Sequence, residues 1–138
     1  MKDEPRANLL IADDNREHRQ ALAKIFSKEG YTVALASDGE EALDILSKDS
    51  FELIITDLRM PRKGGLQLLK EIRDVSPQTM VIIVTAYGEY VSYHEAMTMG
   101  AFGYLNKPIK REEILLVAEK ALTWKKEIDE IRCHNSRG

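Results

Sequence analysis

Hydrophobic and polar positions follow two different spacings along the chain, and these predict strands and helices in alternation. The run Leu53 to Ile55 is continuously apolar, which is typical of a strand covered on both faces in a parallel sheet. Elsewhere apolar residues recur every three or four positions, as at Leu22, Ile25 and Phe26, which is typical of a helix with one buried face. The pattern therefore predicts an α/β protein.

Five strand-helix units can be followed through the chain. Besides the run that ends at Asp57, strands are predicted at residues 9–12, 31–36, 80–84 and 101–105. Helices are predicted at residues 16–29 and 89–100, around residues 42–46 and 66–72, and from residue 109 onward. Five alternations predict one parallel five-stranded sheet with helices on both faces. In chains of this size the commonest strand order is 2-1-3-4-5. Strands one and three are then neighbours at the topological switch point, where the strand order reverses.

Composition bounds the class of protein without indicating a chemistry. The chain has 138 residues, 43% of them hydrophobic, and a net charge of −3 with both signs interspersed, so we expect one core and no direct nucleic-acid binding by this chain. Its single cysteine, Cys133, excludes an internal disulfide framework and fits a reducing compartment. The longest apolar run, residues 80–84, is too short for a membrane span. We therefore predict a cytoplasmic protein without membrane segments.

Carboxylates lie at the ends of two strands that this order makes neighbours. Asp13 and Asp14 follow strand one directly, and Asp57 ends strand three. Ligands of open α/β sheets bind outside the carboxyl ends of the strands, so the three side chains are predicted to share one crevice. Like charges in one crevice repel unless a cation is present, and hard oxygen ligands suit Mg²⁺. The sequence therefore predicts a magnesium site.

Strands four and five end in groups that suit an anion opposite the metal. Thr85 brings a hydroxyl and Lys107 brings a compact positive charge. Phosphoryl transfer depends mainly on positioning and charge neutralisation, and Asp57 is placed to attack in line and form an acyl phosphate. Taken singly, each of these residues has an ordinary interpretation as a helix cap, a turn residue or a solvated charge. Their joint occurrence at the strand ends favours the functional interpretation.

Four short segments carry a resemblance to a known family. They are Asp13-Asp14, Thr56 to Pro61, Thr85-Ala86 and Tyr104 to Pro108. Over residues 8–123 the chain resembles a receiver domain of bacterial two-component response regulators, within the chemotaxis-response-regulator-like superfamily. The resemblance implies a flavodoxin-like, doubly wound fold. Residues 124–138 are then expected to extend the last helix as a linker or a dimerisation segment.

The resemblance also implies a role for each site residue. Asp57 is expected to accept a phosphoryl group from a sensor histidine kinase, and Thr85 and Lys107 are expected to contact that group. The implied Mg²⁺ ligands are Asp13, Asp14, Asp57 and the backbone carbonyl of Arg59. In the family, the peptide bond that matches Lys107–Pro108 is usually cis.

A conformational switch is implied as well. A phosphoryl group at the site offers Thr85 a new acceptor, and an inward move of its hydroxyl vacates space beside Ala86 that an aromatic ring can fill. Tyr104 resembles the family's switch aromatic. The switch would be a population shift between two packings, with its readout on the surface of helix four, strand five and helix five. Arg59 and Tyr87 stand where the family varies, and they leave the lifetime of the acyl phosphate open.

Two other functions are compatible with such a sheet. A flavodoxin-like cofactor-binding module needs a loop rich in Ser, Thr or Gly after strand one, whereas the acidic Asp13-Asp14 would repel a cofactor phosphate. A Mg²⁺-dependent phosphatase of the haloacid dehalogenase type needs a second Asp two residues after the nucleophile, where this chain has Arg59. We therefore predict a phosphoacceptor signalling domain, which assists its own phosphorylation and dephosphorylation, and not an enzyme. No role is predicted for the histidines, which share no ligand spacing: His18, His94 and His134.

Apolar residues continue past the end of the domain in the last helix. Alternating three- and four-residue steps join Ile114, Val117, Ala121, Trp124, Ile128 and Ile131. This is the seam of a short coiled coil, and a partly exposed helix is an equal alternative. A long last helix of this kind resembles that of the receivers of enhancer-binding transcriptional activators. We predict a homodimer, formed through this helix with Trp124 and Ile128 buried, or through helix four, strand five and helix five.

Overall fold

Five parallel strands and five helices alternate along the chain. The strands are β1 (Asn8–Ala12), β2 (Thr32–Ala36), β3 (Leu53–Asp57), β4 (Met80–Thr85) and β5 (Gly103–Asn106). The helices are α1 (Arg16–Lys28), α2 (Gly39–Lys48), α3 (Gly65–Val75), α4 (Tyr90–Thr98) and α5 (Arg111–Arg137). The computed structural model describes residues 6–57, 65–86 and 90–137. The strands form one sheet in the order β2-β1-β3-β4-β5, which confirms the predicted fold and strand order.

Successive side chains point to opposite faces of the sheet, and each face carries its own layer of helices. On one face Leu10, Ile54 and Ile83 pack with apolar residues of α2, α3 and α4. On the other face Ile11 and Ile55 pack with apolar residues of α1 and α5. All five side chains are fully buried, and burying such a side chain contributes about 1.5–3 kcal/mol. These two layers explain why the strand sequences are continuously apolar.

Side-chain caps fix the starts of the first two helices. The Asn15 side chain accepts a hydrogen bond from the His18 backbone N–H at 3.0 Å. Asp38 accepts one in the same way from Glu41 at 2.8 Å. A cap of this kind contributes about 1 kcal/mol. Because α1 is capped only three residues after β1 ends, its first turn lies at the carboxyl edge of the sheet.

The ends of β5 and α5 differ from the predicted ones. The apolar run from residue 101 predicts a strand there, yet β5 begins at Gly103. Gly100, with a φ of +102°, and Ala101 instead close α4, since the Ala101 N–H donates to the Ala96 carbonyl at 3.0 Å. The last helix begins at Arg111, not at residue 109, because its first helical hydrogen bond runs from the Ile114 N–H to the Lys110 carbonyl at 3.0 Å.

The long helix α5 has an inner part on the sheet and an outer part beyond it. Ile114 and Ala121, two members of the predicted seam, are fully buried within the domain. Val117, a third member, packs against the same core. These three are therefore not available to a coiled coil, and the predicted seam shortens to its last three residues. Of these, Trp124 is 52% exposed and Ile131 is 59% exposed, while Ile128 is half-buried. No helix in the described ranges is both long enough and apolar enough to cross a bilayer.

Candidate functional site

Two buried carboxylates and one lysine meet at the carboxyl edge of the sheet. Asp13 directly follows β1, Asp57 ends β3, and Lys107 directly follows β5. The Lys107 Nζ lies 2.8 Å from Asp13 Oδ2 and 2.7 Å from Asp57 Oδ2. Asp13 is 1% exposed and Asp57 is 6% exposed. Carboxylates that are this buried need a compensating charge, and the two share the single positive charge of Lys107.

The Lys107 side chain is held in place from several directions. Its backbone N–H donates to the Thr85 carbonyl at 2.8 Å, which continues the pairing of β4 with β5. Burial of the ammonium, which by itself lowers its pKa, is outweighed by the hydrogen bonds to Asp13 and Asp57 and by their negative charges. The pKa of Lys107 is therefore raised above its ordinary value. The side chain is a fixed positive charge at neutral pH. The peptide bond between Lys107 and Pro108 is cis.

The loop after β1 is fixed by further hydrogen bonds to Asp13. Its second carboxylate oxygen, Oδ1, accepts from the Asn15 backbone N–H at 2.9 Å. Its backbone carbonyl accepts from the Arg19 guanidinium at 2.6 Å. Asp14, the next residue, is exposed. The loop thus points one carboxylate into the crevice and leaves its neighbour at the surface.

Thr85 and Tyr104 lie on the other face of the sheet from the carboxylates. By alternation, Asp57 lies on the same face as Ile55, whereas Thr85 shares its face with Ile83, the strand partner of Tyr104. Thr85 is 1% exposed, and Tyr104 packs against the core formed with α2, α3 and α4. The Tyr104 ring also contacts that of Tyr93 in α4, edge to face, with centroids 5.1 Å apart. The two predicted switch residues are therefore neighbours on one face, and Tyr104 connects this face to α4.

The donor set at the crevice fits Mg²⁺ in its chemistry. Mg²⁺ is bound by oxygen, commonly through one or two carboxylates and substrate phosphates, and keeps several waters. Asp13 and Asp57 are two such carboxylates, and Asp14 stands beside them. In the part of the chain that the structure describes, no group of three or more His, Cys, Asp or Glu residues is assembled as a metal site. The predicted carbonyl ligand of Arg59 and the flanking side chain of Tyr87 lie outside the described residues.

His18 reaches the site, although no role was predicted for it. Its Nδ1 lies 3.0 Å from Lys107 Nζ and 4.0 Å from Asp13 Oδ2. The side chain is 49% exposed. Ligand spacing among the histidines gave no signal here. The available signal was the position of His18 in the first turn of a helix that follows a site strand directly.

A groove opens beside Lys107, between α1 and the segment that follows β5. Its volume is about 190 Å³. Apart from His18 and Lys107 its lining is apolar. The lining residues are His18, Ala21, Leu22, Ile25, Lys107, Pro108 and Ile109. The groove gives an approaching macromolecule an apolar surface next to the buried charges.

Comparison with known proteins gives consistent matches over most of the chain. Residues 9–119 match the family model described as response regulator receiver domain. Sporulation initiation phosphotransferase F of Bacillus subtilis (strain 168) is 36% identical over 117 residues, which cover 85% of this chain and 94% of that protein. The transcriptional regulatory protein ZraR of Escherichia coli (strain K12) is 36% identical over 122 residues, which cover 88% of this chain and 28% of ZraR.

A solved structure agrees with these matches. It is the beryllofluoride-activated NtrC4 receiver domain dimer, which matches with a TM-score of 0.82 and 29% identity over 86% of this chain and 98% of that one. The chain spans less than a third of the length of the first curated relatives that it matches.

Proposed function

Because the chain belongs to the response regulator receiver domain family, we propose that it accepts a phosphoryl group on the Asp57 carboxylate. Receiver domains are phosphoacceptor signalling domains of two-component systems. The observation that carries the proposal is the buried position of Asp57, whose Oδ2 lies 2.7 Å from the Lys107 ammonium at the carboxyl edge of the sheet. Such a carboxylate combines a nucleophilic oxygen with a fixed positive charge for the incoming anion.

The proposed reaction moves a phosphoryl group from a histidine of a sensor kinase to Asp57. An Asp57 oxygen attacks the phosphorus, an O–P bond forms as the N–P bond of the donor breaks, and the departing imidazole takes up a proton. Lys107 is the proposed partner of the phosphoryl oxygens in the resting geometry. The Thr85 hydroxyl is the second proposed partner: Thr85 ends β4, the strand next to β3, and its side chain would turn around the end of the sheet to reach the bound group. Positioning and charge neutralisation supply most of the catalysis of phosphoryl transfer. The chain would thus assist its own phosphorylation and dephosphorylation without acting as an enzyme on another substrate.

The same acidic residues are the proposed Mg²⁺ ligands. They are Asp13, Asp14, Asp57 and the backbone carbonyl of Arg59. The burial of Asp13 and Asp57 at one edge of the sheet supports this assignment. Mg²⁺, when bound, supplies positive charge that offsets the carboxylates and the phosphoryl oxygens.

The proposed switch couples Thr85 to the surface formed by α4, β5 and α5. Thr85 and Tyr104 are on one face of neighbouring strands, and the Tyr104 ring contacts Tyr93. If the Thr85 hydroxyl moves towards a phosphoryl group, the space beside the Tyr104 ring changes. The contact between Tyr104 and Tyr93 would transmit this change to α4. Tyr93 and Leu116 are 47% and 53% exposed on this surface. The output is then a population shift between two packings.

Two partners are proposed. The apolar groove beside Lys107 supports docking of a sensor histidine kinase, because it lies next to the phosphoacceptor. A homodimer through α4, β5 and α5, or through the outer part of α5, is supported by the exposed Trp124 and Ile131. The NtrC4 receiver is described as a dimer in its activated form.

In this proposal residues 8–123 are the receiver and residues 124–138 are the linker or dimerisation segment. The whole protein is proposed to regulate transcription, as ZraR is named to do.

Intact-mass measurement tests the proposed function. The chain is incubated with Mg²⁺ and acetyl phosphate, a small-molecule phosphodonor, beside the variant Asp57→Asn. The wild-type chain should gain one phosphoryl group and the variant none, because the amide keeps the shape but not the nucleophile. Equal modification of both chains would overturn the proposal.

A further inference from the structure

We propose that a second copy of this chain packs on α5 in an antiparallel orientation, so that the outer part of each helix covers the inner part of the other. The contact surface is the α5 stripe, a row of six exposed residues along the helix. They are Leu116, Lys120, Thr123, Trp124, Glu127 and Ile131, with the middle of the stripe between the third and the fourth. The inference rests on the proposed homodimer, to which it gives an orientation and a register, and it does not depend on a phosphoryl group.

The α5 stripe lies on the side of the helix that faces away from the domain. On the opposite side, Ile114 and Ala121 are fully buried and pack on the sheet. Because each residue turns an α-helix by about 100°, the six stripe residues share a sector about 100° wide. Its large apolar members, Leu116, Trp124 and Ile131, each have more than half of their surface exposed. A second helix can therefore lie along the stripe without meeting the domain that carries it.

The order of residues in the α5 stripe is symmetric about its middle. Leu116 and Ile131 are equally far from the middle, and so are Lys120 and Glu127. When a two-fold axis relates two identical antiparallel helices, residues equally far from the axis face each other. With the axis at the middle of the stripe, Leu116 faces Ile131 of the second copy and Lys120 faces Glu127 of the second copy. Apolar groups thus meet apolar groups, and opposite charges meet.

The charges in the stripe favour the antiparallel orientation. A parallel pair through the same stripe would place Lys120 beside Lys120 and Glu127 beside Glu127, and like charges repel. Residues three and four positions from Lys120 along α5 are uncharged, and the one charged residue at these distances from Glu127 is the acidic Glu130. Neither charge therefore has an oppositely charged neighbour at helical spacing. Lys125, outside the stripe, does have one and pairs with Asp129 at 2.8 Å.

Antiparallel packing also gives the outer part of α5 a surface to cover. A groove of about 360 Å³ runs beside the stripe, between α5 and Phe102. Leu116, Lys120 and Trp124 contribute to its lining, and Ile131 of the second copy would enter it next to Leu116. The stripe is about 22 Å long, which is short for a protein interface. We therefore expect a weak dimer, with a Kd of about 10 µM.

A charge exchange tests the orientation. Sedimentation of the resting chain, at concentrations around this expected Kd of about 10 µM, measures dimerisation. Lys120→Glu and Glu127→Lys should each weaken dimerisation about tenfold, because each creates two like-charge pairs. The double variant restores opposite charges and should return the Kd to within about threefold of the wild-type value. Lys126→Glu is the matched control, since it makes the same change of net charge at an exposed position outside the stripe, and it should leave the Kd unchanged.

Cross-linking tests the register. Cys133 is first replaced by serine, so that the introduced thiols are the only ones in the chain. With a short bismaleimide, a mixture of Leu116→Cys and Ile131→Cys chains should give cross-linked dimers, whereas either chain alone should not. A parallel pair would give the opposite pattern. Leu35→Cys mixed with Ile131→Cys is the control, because Leu35 is an exposed leucine on the edge strand β2.

The outcomes separate this inference from the proposals on which it rests. Recovery of dimerisation in the double variant, together with cross-linking of residue 116 to residue 131, would support it. If the resting chain stays monomeric, if the double variant does not recover, or if identical residues cross-link, the antiparallel pairing is wrong. The proposed homodimer fails only if the chain is also monomeric with beryllofluoride, and the intact-mass measurement decides phosphoryl transfer separately.

Discussion

Replacement of Lys107 by methionine should destabilise the chain far more than the loss of an ordinary lysine. Methionine retains much of the apolar stem and removes the charge, which leaves Asp13 and Asp57 buried without their shared cation. Breaking a buried ion pair by removal of one partner costs about 3–5 kcal/mol. We take about 3 kcal/mol, at the low end of that range, because the crevice opens to solvent beside the half-exposed His18.

Urea denaturation in a chelating buffer measures this loss of stability. With a slope of about 2 kcal/mol per molar urea, a loss of about 3 kcal/mol lowers the midpoint by about 1.5 M. Lys48→Met is the matched control, because Lys48 pairs with Asp44 at 3.2 Å on an exposed helix face. Its free energy of unfolding should change by no more than about 0.5 kcal/mol.

A double-mutant cycle assigns the loss to the carboxylates. In an Asp57→Asn background the Lys107→Met substitution should destabilise the chain by about half as much or less, since only Asp13 remains to be neutralised. If Lys107→Met shifts the midpoint no more than Lys48→Met does, then Lys107 does not stabilise the buried carboxylates.

Three further predictions concern the metal, a buried tyrosine and the last helix. Asp14→Ala should weaken Mg²⁺ binding by about tenfold and slow phosphorylation. Asp74→Ala, at an exposed position, is the control, and equal Mg²⁺ affinities of the two variants would contradict the assignment of Asp14 as a metal ligand. The Tyr31 hydroxyl is buried with no hydrogen-bond partner among the described residues, so Tyr31→Phe should leave stability at neutral pH unchanged or raise it by about 1 kcal/mol. Burial raises the pKa of Tyr31. Its ionisation therefore leaves the free energy of unfolding unchanged below pH ~10 and lowers it as the pH rises through the folded-state pKa. Melting curves at alkaline pH should show this decrease in stability in the wild-type chain and not in Tyr31→Phe. In sedimentation experiments the full chain should dimerise with beryllofluoride, and a chain truncated after Thr123 should do so less, whereas monomers in every case would remove the dimer proposal.

The fold could be predicted because its signals are local and repeated. The continuous apolar run Leu53 to Ile55 requires cover on both faces, and the helices on the two faces of the sheet provide it. The start of β5 was harder to predict. The apolar side chain of Ala101 is compatible with a strand, but its backbone N–H donates to the end of α4. Whether Ala101 starts β5 or closes α4 is decided by its hydrogen bond to the Ala96 carbonyl, which cannot be read from the sequence.

The site divides in the same way. The meeting of Asp13, Asp57 and Lys107 follows from the strand order, because each stands directly at the carboxyl end of a strand. The contacts of His18 and Arg19 depend instead on how α1 docks on the sheet, and no spacing within the sequence encodes that. Similarly, Ile114 continues the seam of the outer helix in sequence but is buried against the sheet in the fold.

The position of the phosphoryl group within the chain tests the central claim most directly. Borohydride reduces an acyl phosphate of aspartate to homoserine, so reduction of the phosphorylated chain followed by peptide mass mapping reports which carboxylate carried the group. We expect homoserine at residue 57 and unchanged aspartate at residues 13 and 14. Homoserine at residue 13 or 14, or a phosphorylated chain without any reducible acyl phosphate, would contradict this expectation.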